Sequence, residues 1–350
     1  MSHISDSFFG NRPVCEALEQ MIATGRIPQT ILLAGPAGIG KATLARRFAA
    51  RLLGDETKIE EDDLSLPQHV ELIEQREKWP ADKRADDPLL FASHPDFLTF
   101  TPEGPLRQIS IQQIRLLKER AQFRPLRGER RVFLVDRLDR ANEQAANSLL
   151  KLLEEPPEYL IVIATAENVY DLLPTIRSRS VVFSLTRLSD SEMREFIKAR
   201  SLKDGELRWR LSEGCPGFAA TLDLAKYQER RNLMLKMFEC ASGLVPFSAW
   251  VRAAESFSNR KTEKLDFYLK PAYRVLEDIL AAANGIKSLR NADVEEAVRA
   301  IAARVPFEWL EHAARAVDEL SLMARRNIQK IIALDAVIMD LRNQLRVECA

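Results

Sequence analysis

Three glycines and a lysine near the start of the chain have the spacing of a phosphate-binding loop. The stretch GPAGIGK supplies them as Gly35, Gly38, Gly40 and Lys41. Glycines let the backbone curl so that its N–H groups point at phosphate oxygens, and the lysine reaches the outer phosphates of a nucleotide. A glycine-rich turn that binds nothing is the alternative, but the strand predicted before the stretch and the helix predicted after it favour the phosphate loop.

Magnesium capture at this loop is weakened by the residue that follows the lysine. A serine or threonine there would hold the ion, and the chain has Ala42 instead. Thr43 comes one place later, and a shift of one residue rotates a side chain by about 100° around a helix. We therefore expect the loss to affect magnesium more than phosphate, and the sequence leaves the role of magnesium open.

A second candidate site residue, Asp136, ends the apolar run VFLV at residues 132–135. A buried strand that delivers a carboxylate to a metal through water has this pattern. An acid that orients the attacking water should follow, but Arg137 is there, and its guanidinium does not accept a proton. Asp139 is an alternative base, which we disfavour because a base must lie near hydrogen-bond distance of its proton. The sequence therefore predicts feeble or absent hydrolysis.

Two arginines, Arg177 and Arg179, lie in PTIRSRS at residues 174–180, where a helix is predicted to end before a last strand. An arginine that reaches the γ-phosphate of a neighbouring subunit raises the rate of hydrolysis roughly a thousandfold or more. An arginine that binds the free carbonyl groups of its own helix end is the alternative. The residue types alone leave both interpretations open.

The chain is long enough for more than one domain and carries no net charge. It has 350 residues, 46% of them hydrophobic, which suffices for two or three cores. Lys+Arg and Asp+Glu number 51 each, so the overall field does not favour coating of nucleic acid, although a local basic face remains compatible. No run approaches about 18 apolar residues and the start lacks a signal-peptide pattern, so we expect a cytoplasmic protein without membrane contact.

The four cysteines are far apart and form no C-x-x-C pair. A zinc site would require that they meet fortuitously in space, so we predict no metal held by these thiols. Reduced and mostly buried side chains are the simpler interpretation. The residues are Cys15, Cys215, Cys240 and Cys349.

Alternating strand and helix patterns predict an α/β domain in the first half of the chain. The strands are apolar on both faces, which is typical of a parallel sheet with helices on both sides. Residues 54–88 are charged and proline-bounded, so we interpret them as an insertion with one helix. The strand pattern stops after about Leu185. Three short helices are predicted at 189–225, and a separate all-α bundle follows from about 228.

Together these motifs resemble the bacterial DNA polymerase III clamp-loader subunits of the AAA+ class, specifically the delta-prime type. The resemblance covers roughly residues 8–220. It rests on GPAGIGKATLA, on SHPDF followed by ISIQQIR, on VDRLDRANEQAANSLLKLLEEPP and on LLPTIRSRS. The run at residues 145–157 is the most specific of these.

The resemblance implies a P-loop AAA+ domain and two helical parts. These are a nucleotide-binding α/β domain at residues 1–187, a small helical lid at 188–227, and a helical collar for oligomerisation at 228–350. The collar is matched by helical character and position only. Bacterial relatives often hold a four-cysteine zinc module before the aspartate strand, but residues 51–131 contain no cysteine, so no zinc is implied.

The resemblance also assigns roles to residues of this sequence. Arg179, within Ser178-Arg179-Ser180, corresponds to the arginine finger of a Ser-Arg-Cys motif whose cysteine is replaced here. The lid of the motor subunits carries an arginine that the turn at 214–218 lacks. Nucleotide contacts, functional or vestigial, fall on Gly35, Gly38, Gly40, Lys41, Thr43, Asp136 and the γ-phosphate sensor Thr165.

The implied function is that of a largely non-hydrolysing stator that completes a neighbour's active site with Arg179. Its partners would be gamma/tau and delta subunits in a hetero-pentameric ring that loads the sliding clamp on primed DNA during replication. ATP or ADP would bind weakly or without hydrolysis, within a DNA-directed DNA polymerase holoenzyme. One alternative is an ATP-hydrolysing motor subunit of the gamma/tau type, with Asp139 as its base. Another is an AAA+ adaptor unrelated to replication, which the run at 145–157 disfavours.

Overall fold

A computed structural model describes residue 4 and residues 8–258, 265–324 and 329–348. The chain divides into two compact units, which are described separately. Unit 1 comprises Met1–Lys203 and Ser212–Thr221, and unit 2 comprises Asp204–Leu211 and Leu222–Ala350. This division differs from the three domains expected from the sequence, whose boundaries at 187 and 227 stay a prediction.

Unit 1 is built around a six-stranded sheet. Five strands run parallel in the order β3-β4-β5-β1-β6, and β2 pairs antiparallel with β3 at one edge. The strands are β1 (Thr30–Ala34), β2 (Phe91–His94), β3 (Phe97–Phe100), β4 (Arg131–Val135), β5 (Leu160–Ala166) and β6 (Val181–Ser184).

Seventeen helices are described along the chain, and most of them are in unit 1. The first nine are α1 (Arg12–Thr24), α2 (Lys41–Leu53), α3 (Glu56–Glu60), α4 (Pro67–Arg76), α5 (Ala81–Asp86), α6 (Ile111–Ala121), α7 (Glu143–Glu154), α8 (Pro174–Arg177) and α9 (Asp190–Ala199). The others are α10 (Gly205–Ser212), α11 (Pro216–Thr221), α12 (Leu224–Ala241), α13 (Phe247–Ser258), α14 (Asp266–Ala283), α15 (Glu295–Ala302), α16 (Phe307–Ala324) and α17 (Lys330–Glu348).

The central strands are buried along their whole length, as their apolar sequences predict. Every residue of β1, β4 and β5 is buried, because helices cover both faces of the sheet. The register places Leu33 opposite Thr165 and Val135 opposite Ala164, so these three strands end at the same edge. The predicted fold class, a P-loop α/β domain with additional helices, is confirmed.

Capping residues and a proline in the sequence determine where the helices that flank this edge begin and end. Helix α6 begins with a capping box, in which the Ser110 hydroxyl accepts from the Gln113 amide and the Gln113 side chain accepts from the Ser110 amide. Helix α7 is capped by Asn142, whose side-chain oxygen accepts from the Ala145 amide at 2.8 Å. It ends just before Pro156, which lacks the N–H needed to continue the ladder.

The charged segment at 54–88 is more ordered than the sequence suggested. Our prediction of one helix was wrong, because the segment holds the three short helices α3, α4 and α5. Three of its acidic residues are paired with groups outside the segment. The Arg46 guanidinium, on α2, binds Glu60 at 3.1 Å and Asp63 at 2.6 Å. Asp62 accepts from the Ser93 hydroxyl at 2.7 Å, so the segment is joined to edge strand β2.

A buried ion pair fixes the second helix of this segment. Arg76, at the end of α4, donates from Nε to Glu103 Oε2 at 2.8 Å, and both side chains are almost fully buried. Glu103 Oε1 also accepts from the Leu89 amide at 3.2 Å. The guanidinium lies over the Trp79 ring at 4.4 Å. Buried charges of this kind are tolerated only while each of them is paired with an opposite charge.

We predict that Glu103→Ala lowers the free energy of unfolding of the full chain by about 3 kcal/mol, because Arg76 loses its buried partner and keeps the exposed Asp87 carboxylate at 3.0 Å. Urea denaturation would measure the change. Glu74→Ala, on the exposed side of the same helix, is the matched control and should stay within about 0.5 kcal/mol of the wild type. Equal stability of the two variants would contradict a structural role for this ion pair.

Unit 2 is helical, as predicted, and is organised around two buried tryptophans. Trp309 Nε1 donates to the Leu341 carbonyl at 3.1 Å and joins α16 to α17. Trp250 Nε1, on α13, donates to Asp335 Oδ1 at 2.6 Å. Across the described ranges of the chain, no helix combines the length and apolar character needed to cross a membrane.

The expectation of buried, reduced cysteines is confirmed for the three thiols that the structure describes. Cys15, Cys215 and Cys240 are buried and form no disulfide with one another. Burial raises the pKa of the Cys15 thiol to about 11, so it stays protonated at neutral pH. Cys349 lies outside the described residues.

Candidate functional site

The phosphate-loop sequence adopts the strand–loop–helix arrangement that its motif predicts. The loop leaves β1 at Gly35, whose amide donates to the Ala166 carbonyl at 3.1 Å, and α2 begins at Lys41. All three loop glycines have positive φ, of 147° at Gly35, 76° at Gly38 and 102° at Gly40. L side chains rarely adopt these conformations, so the loop requires glycine.

The loop is covered by a turn that the sequence assigns to the lid. Gly217, in α11, donates its amide to the Gly38 carbonyl at 2.8 Å. A Cβ added at Gly38 would lie 3.0 Å from the Phe218 amide nitrogen, so the two backbones are in close contact. No arginine occurs in this turn, and its contact with the loop is made by the main chain.

Lys41 is bound by the loop itself. Its ammonium group donates to the carbonyl oxygens of Gly35 at 2.5 Å and Pro36 at 2.9 Å, and the residue is only 8% exposed. Burial lowers its pKa, and the charges of nearby carboxylates, Glu167 first, oppose that shift. Phosphate would have to draw the ammonium away from the two carbonyls that it now binds.

Asp136 and Thr165 form one hydrogen-bonded unit at the ends of β4 and β5. The Thr165 hydroxyl donates to Asp136 Oδ1 at 2.7 Å and accepts from the Arg137 amide at 2.8 Å. Burial raises the pKa of Asp136, a shift that the Thr165 hydrogen bond and the charge of Arg137 oppose. The sequence predicts both residues but not their contact.

The Arg137 side chain offers no group that could act as a base, and its guanidinium is bound by a carboxylate. Its backbone is left-handed, with φ 55°, which is uncommon for a large side chain. Its guanidinium binds Glu167 Oε1 at 2.9 Å. Glu167 follows β5 directly and was missed by the sequence analysis. Its signal is its place two residues after Thr165, which brings it to the same edge of the sheet as Arg137.

Asp139 lies close to this group without joining its hydrogen bonds. It sits in a short 3-10 turn at Leu138–Arg140, and its side chain is only 6% exposed. Its Oδ1 atom is buried and has no hydrogen-bond partner. The nearest cation in an ion pair with it is Arg140, at 3.9 Å.

The residues at this edge fit phosphate better than they fit magnesium. The loop has the required glycine geometry and a lysine at its end. For magnesium, Ala42 offers no ligand and Oδ1 of Asp136 is engaged by Thr165, while Thr43 is half-buried on α2. Among the described residues, no group of three or more His, Cys, Asp or Glu side chains is arranged to hold a metal ion.

Arg179 lies apart from these residues, after α8. Its guanidinium donates to Glu154 Oε1 at 2.8 Å and to the Thr175 carbonyl at 3.1 Å, and its side chain is 35% exposed. Arg177 instead lies over the Tyr170 ring at 5.1 Å. The hydrogen bond from Arg179 to the Thr175 carbonyl is the contact expected of a helix-end arginine. Glu154 is a second partner, which the sequence did not indicate.

The serine that replaces the family's cysteine has a local role. The Ser180 hydroxyl donates to the Ile176 carbonyl at 2.8 Å and the Ser178 hydroxyl donates to the Thr175 carbonyl at 3.1 Å. Both bonds close the end of α8. The turn that carries Arg179 therefore keeps its shape without a cysteine.

We predict that Asp136→Asn stabilises the protein at pH 8. Because burial raises the folded-state pKa of Asp136, stability is lost as pH rises from about 4, the ordinary value, through that raised pKa. The asparagine amide still accepts from Thr165 and carries no charge. Melting temperatures should differ at pH 8 and converge near pH 4, where the wild-type carboxyl is protonated.

The exposed Asp171→Asn is the control for this experiment and should show no such pH dependence. A less stable Asp136→Asn at pH 8 would contradict the expectation, since it would mean that Lys41 and Arg137 stabilise the ionised carboxylate more than burial opposes it.

Comparisons with known sequences place relatives of this chain among DNA polymerase III subunits. The gamma subunit of Buchnera aphidicola subsp. Schizaphis graminum is 27% identical over 197 residues, which cover 56% of this chain and 48% of the relative. The tau subunit of Escherichia coli is 28% identical over 189 residues, covering 54% and 26%. The delta' subunit of Pseudomonas aeruginosa is 33% identical over 150 residues, covering 43% and 40%. The matches thus span about a quarter to a half of these relatives' own length.

Two of the solved structures that match this chain are proteins of Thermotoga maritima. A DNA polymerase III gamma subunit-related protein has a TM-score of 0.49 at 18% identity and covers 94% of this chain and 99% of its own. The RuvB Holliday junction branch migration motor has a TM-score of 0.41 at 19% identity, covering 85% and 88%.

The family comparison covers the unit that holds the candidate site. The family model described as "DNA polymerase III, delta subunit" matches residues 10–189, slightly more than half of the chain. The matched range includes the phosphate loop, Asp136, Thr165 and Arg179. The chain therefore belongs to the DNA polymerase III delta subunit family.

Proposed function

We propose that this chain is a delta-prime-type subunit of the DNA polymerase III clamp loader. It acts as a largely non-hydrolysing stator and supplies Arg179 to the active site of a neighbouring ATPase subunit. Membership of the family and the gamma, tau and delta' relatives support a place in the clamp loader. The assignment to the delta-prime type rests on the residues at the two candidate sites.

One observation carries the proposal for the chain's own nucleotide site. The position of the water-orienting acid is occupied by Arg137, whose guanidinium is bound to Glu167. A general base must accept a proton from water, and a guanidinium paired with a carboxylate does not do so at neutral pH. With Ala42 in place of the magnesium ligand, ATP or ADP binds weakly or without being hydrolysed.

The geometry of Arg179 supports its role toward a neighbour. The side chain is a third exposed, and two hydrogen bonds hold its guanidinium on the surface of unit 1. Phosphoryl transfer spreads negative charge over the γ-phosphate oxygens, and a fixed positive charge beside them lowers the barrier. Arg179 supplies that charge, while the neighbour supplies its own loop, metal ligands and base.

The partners follow from the same proposal. The subunit sits in a hetero-pentameric ring with gamma/tau and delta subunits, in the cytoplasm and without membrane contact. The ring opens the sliding clamp and loads it on primed DNA. In this assembly the nucleotide-binding domain at 1–187 carries Arg179, the lid lies at 188–227, and the collar at 228–350 holds the subunits together.

A motor subunit of the gamma/tau type is the second candidate, and one observation favours it. Asp139 is buried beside the loop with an oxygen that has no partner, which is what an unused base would present. Lys41 and the loop glycines are also intact. Against it are Arg137, Ala42 and the absence of an arginine from the turn at 214–218.

We predict that Arg179→Ala leaves ring assembly intact and lowers ATP turnover of the reconstituted loader roughly a thousandfold at the site that it completes. ATP turnover of the whole loader falls by the fraction of the total rate that this one site contributes. Steady-state phosphate release and size-exclusion chromatography would measure the two quantities. Arg177→Ala, two residues away, is the matched control and should have a small effect, while equal effects of both variants would remove the assignment.

We predict that the isolated chain hydrolyses ATP feebly and that Lys41→Ala leaves its turnover unchanged. The reason is that Arg137 and Ala42 remove the base and a metal ligand from the site. A phosphate-release assay with magnesium would measure the rate. Brisk turnover that both Lys41→Ala and Asp139→Asn abolish would establish the motor subunit instead.

A further inference from the structure

We propose that Glu154 is a positioning residue that holds the Arg179 guanidinium in the orientation needed to reach a neighbour's phosphate. The inference rests on the proposed function of Arg179 in trans and adds a second residue to it. Nothing in the motif around Arg179 points to Glu154, which lies 25 residues earlier in the chain. Its evidence is the contact itself and the way both partners are anchored.

Two hydrogen bonds fix the plane of the guanidinium. One terminal nitrogen of Arg179 donates to Glu154 Oε1 at 2.8 Å, and the other donates to the Thr175 carbonyl at 3.1 Å. A single bond would leave the group free to rotate about it, whereas bonds to both terminal nitrogens define its orientation. The guanidinium has further N–H groups that remain for phosphate oxygens.

The acid is mounted on a rigid element. Glu154 is the last residue of α7, and the preceding Leu153 is buried in the core of unit 1. Immediately beyond the helix, Gln29 donates to the carbonyls of Pro156 at 3.3 Å and Pro157 at 3.0 Å. Since Gln29 directly precedes β1, the end of α7 is fixed to the sheet on both sides of Glu154.

The arginine is mounted on the same core. Ile176, in α8, is 1% exposed and belongs to the hydrophobic cluster that also contains Leu149 and Leu153. The Ser180 hydroxyl closes the turn after α8 by its bond to the Ile176 carbonyl. The backbones of Glu154 and Arg179 are therefore held relative to each other, and only their side chains can move.

The exposure of Glu154 and Arg179 indicates that the ion pair orients the arginine side chain and does not withhold it from a phosphate. The Glu154 side chain is 47% exposed and that of Arg179 is 35% exposed, so water weakens the attraction between them. A nucleotide phosphate carries more charge than one carboxylate, so it competes well for the free N–H groups of the arginine. Glu154 thus restricts a long, flexible side chain without keeping it from its target.

The test compares Glu154→Ala and Glu154→Gln in the complete reconstituted loader. Because Arg179 acts in the transition state, we expect Glu154→Ala to lower kcat at the completed site about two- to fivefold with KM unchanged. Glu154→Gln keeps a hydrogen-bond acceptor and should restore most of the rate. Glu155→Ala, which removes the neighbouring exposed carboxylate, is the matched control and should behave as wild type.

A second arm separates failure of this inference from failure of the proposed function. In an Arg179→Ala background, Glu154→Ala should cause no further loss of turnover. If Arg179→Ala depresses turnover while Glu154→Ala leaves it unchanged or raises it, the positioning role is wrong and the finger assignment stands. If Arg179→Ala itself has no effect on turnover, both the proposed function and the inference built on it fail.

A third measurement tests the contact in the isolated chain, without the ring. Phenylglyoxal modifies accessible arginines, and mass spectrometry locates the modified residue. Glu154→Ala should increase the rate of modification at Arg179 and leave Arg177 unchanged, because only Arg179 binds Glu154. An unchanged rate at Arg179 would show that Glu154 does not restrain it, and would overturn the inference.

Discussion

The Thr165 hydroxyl joins the ends of two neighbouring strands, and the rest of the candidate site depends on it. It donates to Asp136 and accepts from the Arg137 amide, so it fixes the backbone where β4 ends. That backbone is left-handed at Arg137 and carries the guanidinium to Glu167. The adjacent strand β1 leads into the phosphate loop, which Ala166 holds by a main-chain bond to Gly35. The Thr165 hydroxyl therefore determines how Asp136 and Arg137 are placed beside the phosphate loop.

The fold and the loop could be predicted because their signals are local. Strand β5 is apolar throughout, and only a sheet covered on both faces buries such a strand. The glycines of the loop occupy positions of positive φ, for which their residue type is the direct signal. The prediction for the segment at 54–88 was wrong, because its charges and prolines indicated an insertion with one helix. Its pairing of Glu60 and Asp63 with the buried Arg46 depends on contacts that composition does not reveal.

The sequence predicted individual residues of the candidate site, but it did not predict the contacts between their side chains. Asp136, Thr165 and Arg179 were found by spacing and resemblance, whereas Glu167 and Glu154 were not. Both acids act through ion pairs with residues 25 to 30 positions away in the chain, and no motif assigns either acid to its arginine. Such pairs arise when parallel strands end at one edge or when two helices share a core. The folded chain brings the partners together, and apart from the place of Glu167 just after β5 the sequence carries no signal for these pairs.

The ion pair between Arg137 and Glu167 limits what a single substitution at position 137 can achieve. A single Arg137→Glu substitution would place two carboxylates where the structure now has an arginine and a glutamate within 2.9 Å. Like charges repel at this distance, and the left-handed backbone would still aim the new side chain toward Glu167. A free acid at position 137 would therefore require coordinated substitutions at both positions. Epistasis of this kind makes the residue tolerated at position 137 depend on the residue at position 167.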